Sequence, residues 1–278
     1  MPQIVDAHAH LWDTARLTYP WLADEPDLPA AFGPADLHLA APAVDAYVFV
    51  EADCLDAQAF DEAVWVASSP DEHPRLAGIV ACAPLELPGA EAALTRLGEI
   101  ERVVGVRRLL QGRDEAFFEL PALAVGLRAV ARRGWTFDAC VHAGQLPALV
   151  GLARRHPDLT VVLDHLGKPD VHGGPDAIAR WRTDLAALAE LPNVVVKLSG
   201  LPAQAGAQRI DLGPWLRAAV DLFGPRRAML GSDWPVSSRG AWTLPDWIDT
   251  VRTALRPTDD EWDAIAAGTA QAVYGLRV

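Results

Sequence analysis

The sequence predicts an α/β chain folded as a (β/α)8 barrel. Three observations carry that prediction: eight short apolar runs ending in polar or turn residues, Ala- and Leu-rich helical patterns between them, and a length of 278 residues. One barrel of about 250 residues leaves no room for a second domain, so residues 1–278 read as a single unit. The predicted strands are residues 4–7, 46–50, 76–82, 103–109, 136–141, 160–163, 194–198 and 228–230. Continuous apolar strands are the mark of a parallel sheet covered on both faces. Helical spacing is found at 56–68, 90–100, 120–133, 146–155, 177–191 and 212–223, where apolar residues recur for an inward stripe. An open doubly wound sheet would favour a glycine-rich phosphate turn after the first strand, and a His-x-His stands there instead.

Two stretches depart from the repeat. Residues 12–44 form a long connection with five prolines and one short helix predicted at 36–41. Long loops in compact domains tend to be lids or binding loops, and Trp12, Tyr19 and Trp21 are candidates to close over a ligand. Residues 259–276 read as a last helix capped by Thr258 or Asp259, closing the outside of the barrel.

Composition narrows the function. Apolar residues make up 51% and the formal net charge is −13. The acidic balance argues against nucleic acid and against anionic membrane surfaces, and no apolar run approaches a membrane span. Cys54, Cys82 and Cys140 lack metal or disulfide spacing and read as buried reduced thiols, which suits a cytoplasmic protein. The first strand begins within a few residues of Met1, leaving no length for a signal peptide.

The chemistry gathers at strand exits, where barrel active sites form. On a strand, Asp6, His8 and His10 share one face, and two imidazoles held close are half of a metal site. Glu51 ends strand two, Arg107 and Arg108 lie on strand four, and His142 ends strand five. Asp164 and His165 end strand six, Lys197 and Ser199 lie on strand seven, and Asp233 ends strand eight. Because strand eight neighbours strand one in a closed barrel, Asp233 meets His8 and His10. A carboxylate beside a bound water and a carbonyl acts as general base and then protonates the leaving oxygen.

Alternation along a strand allows only one of Asp164 and His165 to face inward, and His165 is the choice; Arg107 is chosen over Arg108 on the same grounds. Arg108 then pairs outside with an acidic helix residue. Lys197 either stabilises developing negative charge or partners an acid such as Glu51. Of the remaining histidines, His38, His73 and His156 are expected to be solvated, and His172 borders the mouth.

These fragments, in this order, resemble the amidohydrolase superfamily, and within it the amidohydrolase-2 group of sugar lactonases related to L-fuconolactonase and L-rhamnono-1,4-lactonase. The resemblance rests on VDAHAHLWD at 5–13, YPWL at 19–22, GVR at 105–107, QLP at 145–147, VLDHLGKP at 162–169, VKLSGL at 196–201 and GSDWPV at 231–236. It implies a distorted (β/α)8 barrel that hydrolyses a lactone, with His8, His10, His165 and Asp233 as the catalytic centre. It implies one divalent ion or none, zinc or else manganese. Candidate ligands are His8, His10, Glu51, His142, His165 and Asp233.

Substrate contacts are expected from Arg107, Lys197, Trp12, Trp21, His142 and Glu51. Arg107 and Arg108 occupy the strand that carries a metal-bridging residue in classical amidohydrolases, which argues against two metals. The reading is hydrolysis of a sugar 1,4- or 1,5-lactone by a monomer or homodimer. Alternatives are a pyrone-dicarboxylate lactone, for which Arg107, Arg113 and Arg239 would bind two carboxylates, nonoxidative decarboxylation of an aromatic acid, and a barrel that binds without turnover.

Overall fold

The computed structural model describes residues 3–68, 73–238 and 241–278. Eight parallel strands run in the order β1 (Val5–Ala9), β2 (Ala46–Val50), β3 (Leu76–Cys82), β4 (Val103–Arg107), β5 (Thr136–Ala139), β6 (Val161–Leu163), β7 (Val194–Leu198) and β8 (Ala228–Leu230). Each strand pairs with the next in sequence. The ring closes between β8 and β1 through a single bridge, Ala9 with Trp234. There the Asp233 N–H donates to the His8 carbonyl and the His10 N–H to the Trp234 carbonyl, each at 2.8 Å. This is a distorted (β/α)8 barrel.

Helices cover the outside at Ala59–Ala67, Ala90–Leu97, Pro121–Arg132, Leu146–Arg155, Gly174–Ala189 and Gly213–Phe223, within a few residues of the predicted spans. Their inward stripes, such as Leu123, Leu127 and Val130, meet strand residues such as Ile79, Val106 and Phe137 in one core. Fully burying a side chain of this size contributes about 1.5–3 kcal/mol. Strands β4 and β5 end two residues earlier than predicted, because apolar residues there belong to the loops that carry the site.

The long connection after β1 builds a core of its own. Its two-stranded ribbon pairs Trp12–Asp13 with Ala31–Phe32, and the predicted short helix is present at Pro34–Ala40. Trp12 stands edge-on to Trp21 and Phe32, and its indole N–H donates to the Pro29 carbonyl. Trp12 is fully buried, so its predicted substrate contact is corrected to packing.

The C-terminal segment starts under a Thr258 capping box and carries a wider π turn at Ala264–Gly268 before Thr269–Tyr274. It does more than cover the outside. Ala270 and Tyr274 pack with Val48, Val162 and Met229, and the Tyr274 hydroxyl donates to Asp138 on β5 at 2.7 Å.

His38 is solvated as expected, whereas His73 and His156 are buried. The Tyr47 hydroxyl holds His73, and His156 lies under a helix end, where burial lowers its proton affinity. No helix among the described residues is long and apolar enough to cross a membrane.

Candidate active site

A cleft of about 350 Å³ opens at the C-terminal ends of the strands, with His10, His165 and Asp233 at its base. A wider groove, about 520 Å³, lies by the N-terminal ends of β2 and β3 among Leu37, Val44 and Tyr47, away from the histidine cluster.

Three imidazoles converge on one oxygen. The distances from Asp233 Oδ1 to His10 Nε2, His165 Nε2 and His8 Nε2 are 3.3, 3.7 and 3.8 Å. Each ring is oriented by its other nitrogen. His10 Nδ1 is 2.8 Å from the Val50 carbonyl, His165 Nδ1 2.9 Å from Ser199 Oγ, and His8 Nδ1 3.2 Å from Asp164 Oδ1. A carbonyl only accepts, so His10 carries its proton on Nδ1 and turns a lone pair inward.

Burial alone would raise the Asp233 carboxyl, but His165, His10 and His8 outweigh it and hold the group well below the usual carboxylate range. The Ser237 hydroxyl donates to its other oxygen at 2.7 Å. Burial lowers His165 to about 4 despite Asp233 and Asp164, so the ring is neutral at physiological pH.

Asp164 corrects the alternation argument: it faces inward together with His165. Both are buried because the chain leaves β6 in a left-handed turn, with φ of 54° at His165, 55° at Leu166, 70° at Gly167 and 48° at Lys168. That hand costs about 1–2 kcal/mol per non-glycine residue, and such strain concentrates at functional sites. A Cβ at Gly200 would lie 2.5 Å from the His165 ring, so only glycine lets β7's exit pass it.

Beneath the histidines lies a buried ion network. Lys197 Nζ is 2.5 Å from Asp138 Oδ2, 3.1 Å from Asp164 Oδ1 and 3.2 Å from His8 Nδ1. Burial opposes the lysine's charge, and the two carboxylates outweigh it, raising its proton affinity. Lys197 is fully buried, so its predicted substrate contact gives way to the other role considered, partner to acids, although those acids are Asp138 and Asp164 rather than Glu51.

Glu51 is also engaged. It accepts from Arg107 Nε at 2.5 Å, and the Glu51 carbonyl accepts from Arg107 Nη2 at the same distance. Arg107 does line the cleft, with Nη1 3.5 Å from Asp164 Oδ2. Glu51 therefore positions Arg107 instead of presenting a free ligand. Arg108 pairs with Glu86, in the loop after β3, and with Asp56, which opens the short helical turn leading into the outer helix Ala59–Ala67, as expected for an acidic helix partner. His142 is exposed and begins a short helical turn beyond β5; it is neither in the histidine cluster nor among the cleft's lining residues. His172 is exposed and lies outside that lining too.

Residues 5–276 match the family model described as Amidohydrolase. The chain belongs to the amidohydrolase family. It is 33% identical over 251 residues to an L-fucono-1,5-lactonase of Burkholderia ambifaria, covering 86% of this chain and 84% of that protein. A protein of the same name from Burkholderia multivorans is 32% identical, with coverage of 98% and 96%. A crystal structure of an amidohydrolase from Burkholderia multivorans, determined with bound zinc, aligns at TM-score 0.88 and 31% identity over 99% of this chain and 100% of that one.

This amidohydrolase presents a donor set that fits a divalent cation. Ligand atoms of His8, His165 and Asp233 lie within 4.8 Å of one another, and His10 Nε2 is 3.1 Å from His8 Nε2. Asp164 can accept a hydrogen bond from His8 Nδ1–H as the Val50 carbonyl accepts from His10 Nδ1–H, leaving Nε2 lone pairs directed at one point. Among the described residues, the four surrounding carboxylates Glu51, Asp138, Asp164 and Asp233 form ion pairs with two permanent cations, Lys197 and Arg107, so positive charge is favoured there.

A further buried acid, Glu62, lies on the helix Ala59–Ala67. Burial raises Glu62 to about 8, with Glu51 adding to it, although the Ala52 N–H donates to Glu62 at 3.2 Å. An acid raised in the folded state stabilises most below its ordinary value of 4.5 and loses that contribution as pH rises through about 8. Glu62→Gln is therefore expected to raise folding stability by on the order of 2 kcal/mol at pH 7.5 and by little at pH 4. Urea denaturation at both values checks it.

Proposed function

We propose that this chain hydrolyses a sugar 1,4- or 1,5-lactone to its aldonic acid, with Asp233 as the base. The convergence of three imidazoles on one carboxylate oxygen at the floor of the cleft carries the reading. Asp233 takes a proton from the attacking water, whose oxygen bonds to the lactone carbonyl carbon. The ring C–O bond then breaks, and Asp233 returns the proton to the departing ring oxygen. His8, His10, His165 and Asp233 would hold a divalent cation, zinc or manganese, which when bound polarises the carbonyl and acidifies water. Arg107 helps hold the substrate and Trp21 covers the sugar.

The cleft's charge supports a neutral polyol over a dianion. Glu25 and Asp53 line it, while Arg113 is exposed and stacked on Phe117. Arg239 lies outside the described residues. We place the enzyme in the cytoplasm, as a monomer or a homodimer.

A proton-release assay across sugar and aromatic lactones tests the reading. Acid release on sugar lactones supports it; silence there, or carbon dioxide release from aromatic acids, overturns it. Removing metal with a chelator is expected to lower kcat/KM by about tenfold or more, with zinc or manganese restoring it. Unchanged turnover after metal removal would leave the histidines as direct carbonyl contacts.

A further inference from the structure

Hydrolysis of a neutral lactone creates a carboxylate, so the cleft must handle negative charge that its substrate lacks. Most cations near it are engaged by acids. Arg107 is held by Glu51 and Asp164, Lys197 by Asp138 and Asp164, and Arg108 by Glu86 and Asp56.

Lys168 differs. It lines the cleft, is half-buried, and makes no ion pair with an acid among the described residues. Its ammonium donates to the neutral Gln111 side-chain oxygen, which also faces the Cys140 thiol at 3.7 Å. Gln111 thus tethers the cation without neutralising it. The left-handed turn after β6 carries Lys168 and His165 together, and the Lys168 N–H donates to the His165 carbonyl at 2.8 Å. Asp53 follows β2, four strands away in the closed order, so cation and carboxylate face each other across the mouth.

We propose that Lys168 is the group that receives the carbonyl end of the lactone, stabilising charge on the carbonyl oxygen and then holding the product carboxylate. Asp53 on the far side accepts from ring hydroxyls, so the two charges fix which end of the polyol enters first. This rests on the lactonase reading for the identity of the substrate, but not for the binding of a carboxylate. Gln111 acts as a positioning residue, since it meets the ligand only through Lys168.

The test uses the full-length enzyme with Lys168→Gln, Lys168→Arg and Gln111→Glu, the last placing a carboxylate against the unaltered lysine. Calorimetry with D-gluconate and L-galactonate reads carboxylate binding, and lactone kinetics read turnover. Lys168→Gln is expected to weaken aldonate binding about tenfold and to lower kcat about 10²-fold with KM for the neutral lactone little changed. Lys168→Arg is expected to restore most of the binding, and Gln111→Glu to reproduce the loss. Wild-type binding of neither aldonate, or equal binding by wild type and Lys168→Gln, overturns the proposal. If the wild type opens no lactone, the lactonase reading fails, while aldonate affinities still decide the role of Lys168.

Discussion

Asp233→Asn is expected to lower kcat for lactone hydrolysis by about 10⁴-fold while leaving the barrel folded. The amide keeps the shape of the carboxylate and can still accept from Ser237 through its oxygen, but it cannot take a proton from water. Three imidazoles surround the native group, so the folded enzyme holds it ionised, the form a base requires. Proton-release kinetics alongside far-UV circular dichroism check both halves. A variant with wild-type kcat would remove Asp233 from the chemistry and return attention to a base elsewhere in the cleft.

Asp164→Ala is expected to be the most damaging single change to stability. Its carboxylate lies against Lys197, His8 and Arg107 and is closed off from solvent. Burial would raise its proton affinity, and Lys197 and then His8 outweigh that and drive it well below the ordinary value. Truncation removes the one acceptor that Lys197, His8 and Arg107 share in a buried site and leaves their donors unsatisfied, for which a loss of about 3–5 kcal/mol is expected from urea denaturation. The same change frees His8 Nδ1 from its acceptor, so activity is expected to fall even in the fraction that folds. Stability within 1 kcal/mol of wild type would show that the network tolerates rearrangement.

The barrel was legible because parallel strands buried on both faces leave unbroken apolar runs, as at residues 76–82 and 194–198. His8, His10, His165 and Asp233 were legible because strand exits in a barrel converge. Asp164 was missed for a local reason: period-two alternation fails once four successive residues turn left-handed, and nothing in Asp164 itself announces that. Gly167 was the available signal.

Trp12 was misread because a long loop can bury aromatics in its own small core. Glu51 and Lys197 look like ligands and substrate contacts in one dimension; in three, each is engaged by a counter-charge. Lys168 carries no signal beyond its place in VLDHLGKP, since a half-exposed lysine in a loop has no pattern that distinguishes it from a solvated one.

The seam between β8 and β1 ties the order of events in synthesis to the appearance of activity. Ser232 donates to Asp6 across 226 positions of chain, and the bonds beside it join His8 to Asp233 and His10 to Trp234. The groups that bring Asp233 to the histidines are those that make the cylinder continuous. Contacts so distant in sequence form late and slowly, so a nascent chain still attached to the ribosome has no working cleft until nearly all of it has emerged. Recovery of turnover after dilution from denaturant thus reports the completed ring, whereas helix content can return well before it.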